Sequence, residues 1–468
     1  MQVFVDAIVA ISGWLWGPPI LIVLSIGSIY LSIRIGFFQF AKFGYILQQT
    51  FGKAFKKSEG EGTLSAFQAL TSAVACTVGA GNIVGVPVAI MMGGPGSVFW
   101  MWLIAILGMA LKYGEVVLAV KYREKNAKGE YVGGPAYYIN KGMNMKWLAG
   151  VFGIGLMIEV AISSMTQANA LADSARASMN IPPIVTGLVV MVIAGIVIIG
   201  GVKRVGQFTE KLVPFMSLIY IGASLIIVIL NISKVPEMLV LIFRSAFIPM
   251  AAVGGFSGSA IAMSIRWGVA RGLYSNEAGL GTAPIAHASA TTDHPTRQGL
   301  WGITEIFIDT ILICSCTAFV VLSTGVWMAE GASDVGGGLT TLAFTEMFGS
   351  FGGIFVTICL ILFVLSTLIV LIWYGEKQAE FMFGYKASTV YRFVCVLLIP
   401  VGAVGVATYL WQFLDFSLAL ILFPNIFAVL YLSKDIVNCT KEFFGTPGKY
   451  YLKDIEDSKV KRTNQNNE

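Results

Sequence analysis

The stretch Ala73–Pro87 reads AVACTVGAGNIVGVP, and it decides how this chain folds. Apolar sequence continues on both sides of it, from 64 to 92, which is long enough to cross a bilayer. Unwound backbone is tolerated in hydrocarbon only where it is buried in protein or lines a watery cavity. The stretch therefore predicts a transmembrane helix that is interrupted at a site. The interruption is expected because the middle contains the poorest helix formers, Gly79, Gly81, Gly85 and Pro87.

The chemistry of such a break follows from its free main-chain groups. Amides that begin the second half-helix can hold an anion, and carbonyls that end the first half can hold a cation. We predict that the amides of Gly79, Ala80 and Gly81 bind a carboxylate. Alternatively, these glycines only let neighbouring helices pack closely. Asn82, a buried polar residue beside them, favours the binding site.

Composition assigns the chain to the membrane proteins. It has 468 residues, of which 56% are hydrophobic and 12% charged. Apolar runs of about 20 residues recur, the length that spans a bilayer, so we predict an all-α polytopic membrane protein without a sizeable soluble domain. The net charge of +5 needs no nucleic acid, because cytoplasmic loops of membrane proteins are rich in Lys and Arg. The six cysteines are expected to be thiols, and the two histidines make a haem or a His-bound metal cofactor improbable.

Hydropathy predicts eleven spans, ten of which follow an accessory helix. The accessory N-terminal helix and an interfacial segment occupy 1–62, a first five-helix repeat 63–246, a second five-helix repeat 247–432, and a basic cytoplasmic tail 433–468. The predicted spans are 14–33, 64–92, 97–120, 148–172, 184–202, 212–231, 247–265, 299–324, 350–374, 388–410 and 413–432.

The distribution of positive charge predicts the orientation. If the loop after the first span is cytoplasmic, nearly all of the 31 Lys and Arg residues lie inside. The exceptions are Arg176, Lys234 and Arg244 outside, and Lys112 within a span. This asymmetry predicts a multi-pass protein of the cytoplasmic membrane, with its N-terminus outside and its C-terminus inside.

The two sets of five spans each begin with an interrupted segment. In the second set the span 247–265 contains Gly254, Gly255, Phe256, Ser257 and Gly258 in succession. An odd number of spans per half gives the halves opposite orientations, and paired interrupted segments are typical of inverted-repeat transporters. We expect carbonyls near Gly254, Gly255 and Phe256 to meet the ammonium group of a zwitterion.

Several motifs make the chain resemble the alanine or glycine:cation symporter family, which shares the leucine-transporter fold. The most specific is GGPGSVFWMW at 93–102, and others are TVGAGNI at 77–83, GGP at 133–135 and RGLYSNEAGLG at 271–281. The similarity covers about 62–384. It implies a 5+5 inverted repeat and sodium-coupled uptake of small neutral amino acids by alternating access. One departure is Leu371, which stands where the family usually carries a tryptophan facing the substrate.

The same resemblance implies the ion site. It places the hydroxyls of Ser366 and Thr367 opposite the first broken helix. Alternatively, these hydroxyls bond back to carbonyls one turn earlier, as is common in membrane helices. A second, weaker sodium site is expected near Thr77 and Asn82. In the first sodium site, the resemblance implies that the carbonyl oxygens of Ala75, Val78 and Phe363 join the two hydroxyls to complete a five-oxygen cage.

Other polar residues within spans are weighed against structural roles. Gln167 and Asn169 lie on the third core helix, which borders the substrate in this fold, although hydrogen bonds between helices would also explain them. Glu305 and Asp309 share one helical face and are expected to face a cavity or to be protonated. For these two, and for Glu115 and Glu159, a structural role as a paired or water-solvated carboxyl group is at least as probable as a role in transport.

The sequence thus favours a sodium symporter with a small neutral amino acid as cargo and the lipid bilayer as its surroundings. Proton coupling is the alternative within the same class. A channel is less favoured because no ring-forming charged motif is evident. An enzyme is not expected, because no HExxH, nucleophile elbow or nucleotide loop occurs.

Overall fold

The structure is a computed structural model that describes residues 10–56, 58–248, 261–329, 331–332, 336–405 and 407–456. Nearly all of these residues are helical. The first half contains α1 Pro18–Arg34, α2 Phe38–Ala41, α3 Phe43–Thr50, α4 Ala66–Thr77, α5 Val86–Gly93, α6 Ser97–Lys121, α7 Pro135–Met143, α8 Lys146–Met179, α9 Pro183–Ile199, α10 Gly201–Leu230 and α11 Val235–Phe247. The second half contains α12 Ile261–Asn276, α13 Ala283–Ala288, α14 Pro295–Ile306, α15 Ser315–Thr324, α16 Leu339–Phe348, α17 Ser350–Phe383, α18 Tyr385–Ala403, α19 Ala407–Tyr431 and α20 Ser433–Gly445.

The non-α elements are few and short. β1 Glu124–Lys125 and β2 Tyr131–Val132 pair as an antiparallel hairpin, with Glu124 opposite Val132. Two π-helical segments lie within the membrane-type helices, at Gly81–Gly85 and Phe307–Cys314. Such wide turns are frequent at functional sites because they disturb the regular i→i−4 bonding.

The interrupted helix predicted from the sequence is confirmed. The side chains of Ser65 and Gln68 form a capping box that begins α4, so its first amides are satisfied. The helix ends at Thr77, and the segment Gly81–Gly93 continues at an angle of 46° to it. The first half ends just before Gly79 and Gly81, which are poor helix formers, whereas Gly85 and Pro87 lie within the second segment.

The structure contains fewer candidate membrane spans than the eleven predicted from the sequence, but part of the chain lies outside the described residues. The described residues contain eight helices long and apolar enough to cross a membrane, or nine if the bent pair is one span. Helix α9 is apolar but shorter, at 17 residues. The predicted span 247–265 lies mostly within 249–260, outside the described residues, and so do Gly254, Gly255 and Phe256. Eleven spans and the division into repeats therefore stay predictions.

The outside of the bundle is apolar, as a protein surrounded by lipid requires. On α9, for example, Leu188, Val192 and Ile196 are exposed while Val190 and Ala194 are buried. The long helix α8 packs against α17 and α19, and α17 also contacts α4. This arrangement brings residues of α8 and α17 to the break in the first helix.

All six cysteines are free and buried, as expected from their positions.

A segment near the C-terminus contacts residues near the N-terminus. Asp454 accepts hydrogen bonds from Tyr45 at 2.7 Å, Lys53 at 3.1 Å and Arg297 at 2.9 Å. The ring of Tyr450 lies 4.5 Å from that of His294. We call the segment 446–456 the C-terminal clasp, because it holds α3 and the residues that follow it, up to Lys53, against the start of α14.

The C-terminal clasp is expected to loosen in acid. Burial favours the neutral form of Asp454, but the hydrogen bonds from Arg297 and Tyr45 and the positive charges of Arg297 and Lys53 together outweigh it and lower the pKa below the ordinary value of 3.8. The clasp is thus fully stabilised above about pH 4 and loses that contribution as the pH falls through the lowered pKa. Asp454→Asn should mimic this loss at neutral pH. Trypsin should then cut faster after Lys449 and Lys453, whereas unchanged cleavage would contradict the role of Asp454.

Candidate functional site

The break in the first helix frees two carbonyl groups. The amide of Gly79 donates to Asn82 Oδ1 at 2.9 Å, and the amide of Asn82 donates to the Gly79 carbonyl at 3.3 Å. In a continuous helix these two amides would serve the carbonyls of Ala75 and Val78. Both carbonyl oxygens are therefore available to another group.

Thr367 of α17 meets these carbonyls. Its Oγ1 lies 2.9 Å from Ala75 O and 3.3 Å from Val78 O, and 2.9 Å from Phe363 O in its own helix. The hydroxyl has a single proton for three acceptors, so the group is rich in lone pairs. We call Thr367 Oγ1 and the three carbonyl oxygens the oxygen cluster.

Ser366 is placed differently from the sequence prediction. Its hydroxyl donates to Phe363 O at 2.8 Å and lies 3.6 Å from Met216 Sδ. It thus makes the bond back to its own helix that was the alternative for both hydroxyls. The structure brings Ala75, Val78, Phe363 and Thr367 together, whereas Ser366 reaches the cluster only through the Phe363 carbonyl.

The amides predicted to bind a carboxylate lie next to the oxygen cluster. The amide of Ala80 donates to Gln167 Oε1 at 3.4 Å, while that of Gly79 is bonded to Asn82. An acceptor oxygen thus already occupies the place where a substrate carboxylate is expected. The side-chain amide of Gln167 therefore stands in the position predicted for it, at the break.

A small cavity adjoins these groups. The space within it that the centre of a water molecule can occupy is about 20 Å³. The cavity therefore holds about one water. Gly81, Gln167, Thr367 and Leu371 all contribute to its wall. The complete lining is Cys76, Thr77, Gly81, Glu159, Ser163, Gln167, Tyr274, Glu277, Leu280, Thr367, Leu371 and Leu418.

Two predicted residues point elsewhere. Asn169 donates to the carbonyl of Gly405 at 3.1 Å, which is the interhelical bond that was its alternative explanation. The side chain of Thr77 donates to Val74 O at 3.3 Å. Thr77 lines the cavity but Asn82 does not, so the structure does not bring their side chains together as the second sodium site requires.

Asn82 belongs to a separate buried network. Its Nδ2 lies 2.7 Å from Asp309 Oδ1 and 3.0 Å from Ser275 Oγ, and Ser275 donates to Asp309 Oδ2 at 2.8 Å. Thr310 donates to the same carboxylate oxygen at 2.7 Å. Asp309 therefore holds α14's π-helical extension against the break, through Asn82.

Of the remaining acidic residues named from the sequence, Glu305 has charged partners, whereas Glu115 and Glu159 each have one oxygen without a hydrogen-bond partner among the described residues. Lys112 Nζ lies 3.1 Å from Glu305 Oε1, and His287 Nε2 lies 3.2 Å from the other oxygen. All three side chains are inaccessible to solvent. Gln298 Nε2 lies 2.8 Å from His287 Nδ1. Glu115 accepts a hydrogen bond from Asn425.

Sequence reasoning missed a polar stripe on α8. Glu159, Ser163 and Gln167 all line the cavity, and they are spaced four residues apart, so they share one face of the helix. This spacing was visible in the sequence as one polar residue per turn of an apolar helix. Ser275, Cys76 and Tyr274 lie in stretches that the sequence analysis quotes, but what they contact could not be predicted, because these contacts join distant segments.

Gly79 is the position where a side chain should be tolerated least. An added Cβ would lie 2.7 Å from Thr367 Oγ1 and 3.3 Å from Gln167 Nε2. Overpacking typically costs about 1–3 kcal/mol, so transport by Gly79→Ala should fall about 5- to 150-fold. Gly85→Ala is the matched control, because its Cβ would meet only Arg271 Cδ, at 3.8 Å. Radiolabelled uptake that is equal in the two variants would contradict this prediction.

Apolar membrane-type helices, a bent helix with freed carbonyls and a buried cavity beside them define a helical membrane transporter. The structure resembles a crystal structure of a mutant manganese transporter from Eremococcus coleocola, with a TM-score of 0.53, 12% identity, and coverage of 86% of this chain and 93% of that one. A likeness at this identity concerns the fold alone, which is of the leucine-transporter type.

The family is shown by sequence. Residues 1–454 match the model of the sodium:alanine symporter family, and the chain belongs to that family. It is 52% identical over 451 residues to the uncharacterised transporter YflA of Bacillus subtilis, covering 96% of each chain. It is 40% identical over 445 residues to the sodium/alanine symporter AgcS of Methanococcus maripaludis, covering 94% of this chain and 97% of that one. The protein is therefore a sodium-coupled amino-acid symporter and not an enzyme.

Proposed function

We propose that this protein takes up a small neutral amino acid, alanine or glycine, together with sodium across the cytoplasmic membrane by alternating access. The observation that carries the proposal is the oxygen cluster, in which one hydroxyl proton faces three carbonyl oxygens. The relative from Methanococcus maripaludis supports it, since its name gives sodium and alanine as cargo.

In this proposal sodium binds at the oxygen cluster and the amino acid at the adjoining break. The carboxylate of the substrate replaces Gln167 Oε1 at the Ala80 amide and is stabilised by the positive end of the second half-helix. Gln167 then turns toward the substrate as a hydrogen-bond partner. Leu371, in the wall of the same cavity, contacts the apolar part of the substrate. Carbonyls near Gly254, Gly255 and Phe256 receive the ammonium group.

The two cargoes are coupled through the break. Sodium at Thr367 holds the carbonyls of Ala75 and Val78 in place, and the amides of Gly79 and Ala80 follow directly in the chain. A bound ion therefore orders the amides that the carboxylate needs. Entry of one positive charge is favoured by about 2.3 kcal/mol per 100 mV of membrane potential. In this proposal the N-terminus of the protein lies outside and the C-terminus inside.

Uptake into proteoliposomes tests the proposal. Radiolabelled alanine should accumulate with sodium outside and potassium inside, and replacement of external sodium by potassium should abolish accumulation. Excess unlabelled glycine should compete, whereas excess leucine should compete less. Accumulation that survives without sodium and instead follows an imposed pH gradient would replace this mechanism by proton coupling, for which the buried Asp309 beside Asn82 is the observation in favour.

A further inference from the structure

The cavity beside the oxygen cluster also has a second polar wall, formed by Glu159 of α8 and Glu277. Glu159 is 3% exposed. Its Oε2 is buried and has no hydrogen-bond partner among the described residues. Because an unpaired buried carboxylate oxygen is costly, a group that satisfies it is expected in the cavity.

The partners of the two carboxylates are weak or neutral. Ser163, one turn along α8, is a hydrogen-bond neighbour of Glu159. Glu277 accepts from the hydroxyl of Thr282, and the thiol of Cys76 lies 3.5 Å from its Oε1. Hydroxyl and thiol groups supply no positive charge, so neither carboxylate is neutralised by these contacts.

The nearby lysine is already engaged. Lys112 Nζ pairs with Glu305 at 3.1 Å, and it reaches only the main-chain carbonyl of Glu277, at 3.3 Å. Within the described part of the chain, no basic nitrogen lies within 4.0 Å of the carboxylate of Glu159 or Glu277. When both carboxyl groups are ionised, the cavity wall therefore has an excess of negative charge, which a cation can balance.

The position of the two carboxylates indicates when a cation would meet them. Glu159 precedes Gln167 by eight residues on α8, or about 12 Å along the helix axis, toward the end of α8 at Lys146. In the proposed orientation that end is cytoplasmic. Thr367 belongs both to the oxygen cluster and to the cavity wall, so the cavity connects the cluster with the carboxylates on its inner side.

We propose that Glu159 and Glu277 form a second cation site, which receives sodium as it leaves the oxygen cluster for the cytoplasm. This inference rests on the proposed function. The described residues contain no group of three or more His, Cys, Asp or Glu side chains arranged to hold a metal ion. Two carboxylates beside a cavity with room for about one water instead suit a monovalent ion with few protein ligands, which is the condition for release.

Glu159→Gln tests the site because it removes the charge and keeps the size. Two rates are measured in proteoliposomes: net sodium-driven uptake of alanine, and alanine–alanine exchange at equal sodium on both sides. Exchange does not require sodium to leave the protein. The ratio of net uptake to exchange should therefore fall about tenfold or more, as expected for the loss of one charged contact. Glu159→Asp, which keeps the charge, should restore most of the ratio.

The exposed Glu237 provides the control, and Glu237→Gln should keep the wild-type ratio. An unchanged ratio in Glu159→Gln overturns the inference, as does a Glu159→Asp variant that behaves like Glu159→Gln. A change confined to the dependence of uptake on external pH also overturns it, because the site would then take a proton.

Direct binding separates this inference from the proposed function. Equilibrium binding of ²²Na⁺ to the purified protein without amino acid should be weaker or less abundant in Glu159→Gln than in wild type. If wild-type protein transports neither alanine nor glycine, the proposed function fails, yet this binding difference still supports the cation site. Equal ²²Na⁺ binding by the two proteins overturns it.

Discussion

Thr367→Val is expected to abolish sodium-dependent uptake at ordinary sodium concentrations. The substitution keeps the shape of the side chain and removes the hydroxyl that faces Ala75 O, Val78 O and Phe363 O. A hydrogen bond or similar contact to a charged group contributes about 1.5–3 kcal/mol. The sodium concentration for half-maximal uptake should therefore rise about 10- to 150-fold, and Thr367→Ser should stay close to wild type.

Two further variants make this experiment selective. Ser366→Ala should have a smaller effect than Thr367→Val, because Ser366 bonds within its own helix and toward Met216. Thr357→Val is the matched control on the same helix, since Thr357 bonds both to Gly353 O at 3.0 Å and to Ser178 Oγ of α8 at 2.8 Å and lies outside the cavity wall. Equal losses in Thr367→Val and Ser366→Ala would favour the five-oxygen cage implied by the family resemblance over the arrangement seen here.

Glu305→Leu is expected to cause the largest loss of stability. It leaves Lys112 charged, buried and without its partner at 3.1 Å, and breaking a buried ion pair in this way costs about 3–5 kcal/mol. The melting temperature in detergent, followed by size-exclusion chromatography after heating, should fall sharply. The double variant Lys112→Met/Glu305→Leu should recover most of the loss, because no unpaired charge remains.

An exposed ion pair provides the comparison. Glu61 lies 3.6 Å from Lys125, with side-chain exposures of 72% and 57%, and exposed pairs contribute little. Glu61→Gln should therefore melt like wild type. If the double variant Lys112→Met/Glu305→Leu melts as low as Glu305→Leu alone, then Lys112 and Glu305 are needed for packing and not for charge balance.

Much of the site was predictable because it depends on local backbone energetics. Gly79 and Gly81 are poor helix formers that follow directly on Thr77, and the structure bends at that point. The placement of Gln167 and Leu371 at the break followed from the family resemblance. The cavity wall contains both residues.

The direction of individual side chains was not predictable. Membrane helices are apolar on nearly every face, so hydrophobic periodicity does not distinguish the side that faces the site from the side that faces a neighbour. Asn169 and Gln167 are two residues apart and both were candidate substrate contacts, with Gln167 favoured, yet nothing in the sequence showed that Asn169 bonds to Gly405 O. Ser366 and Thr367 are adjacent, and only Thr367 reaches the carbonyls of the break.

By itself, the sequence determined the membrane class, the interrupted helix and the family, because composition, helix propensity and contiguous motifs act over a few residues or one span. Only the tertiary structure decided which oxygens converge. Thr367 and Ala75 are 292 positions apart, and Lys112 and Glu305 are 193 apart. Such pairs meet because packed helices bring distant segments together, and buried polar groups must then find partners among whatever residues that packing places within reach.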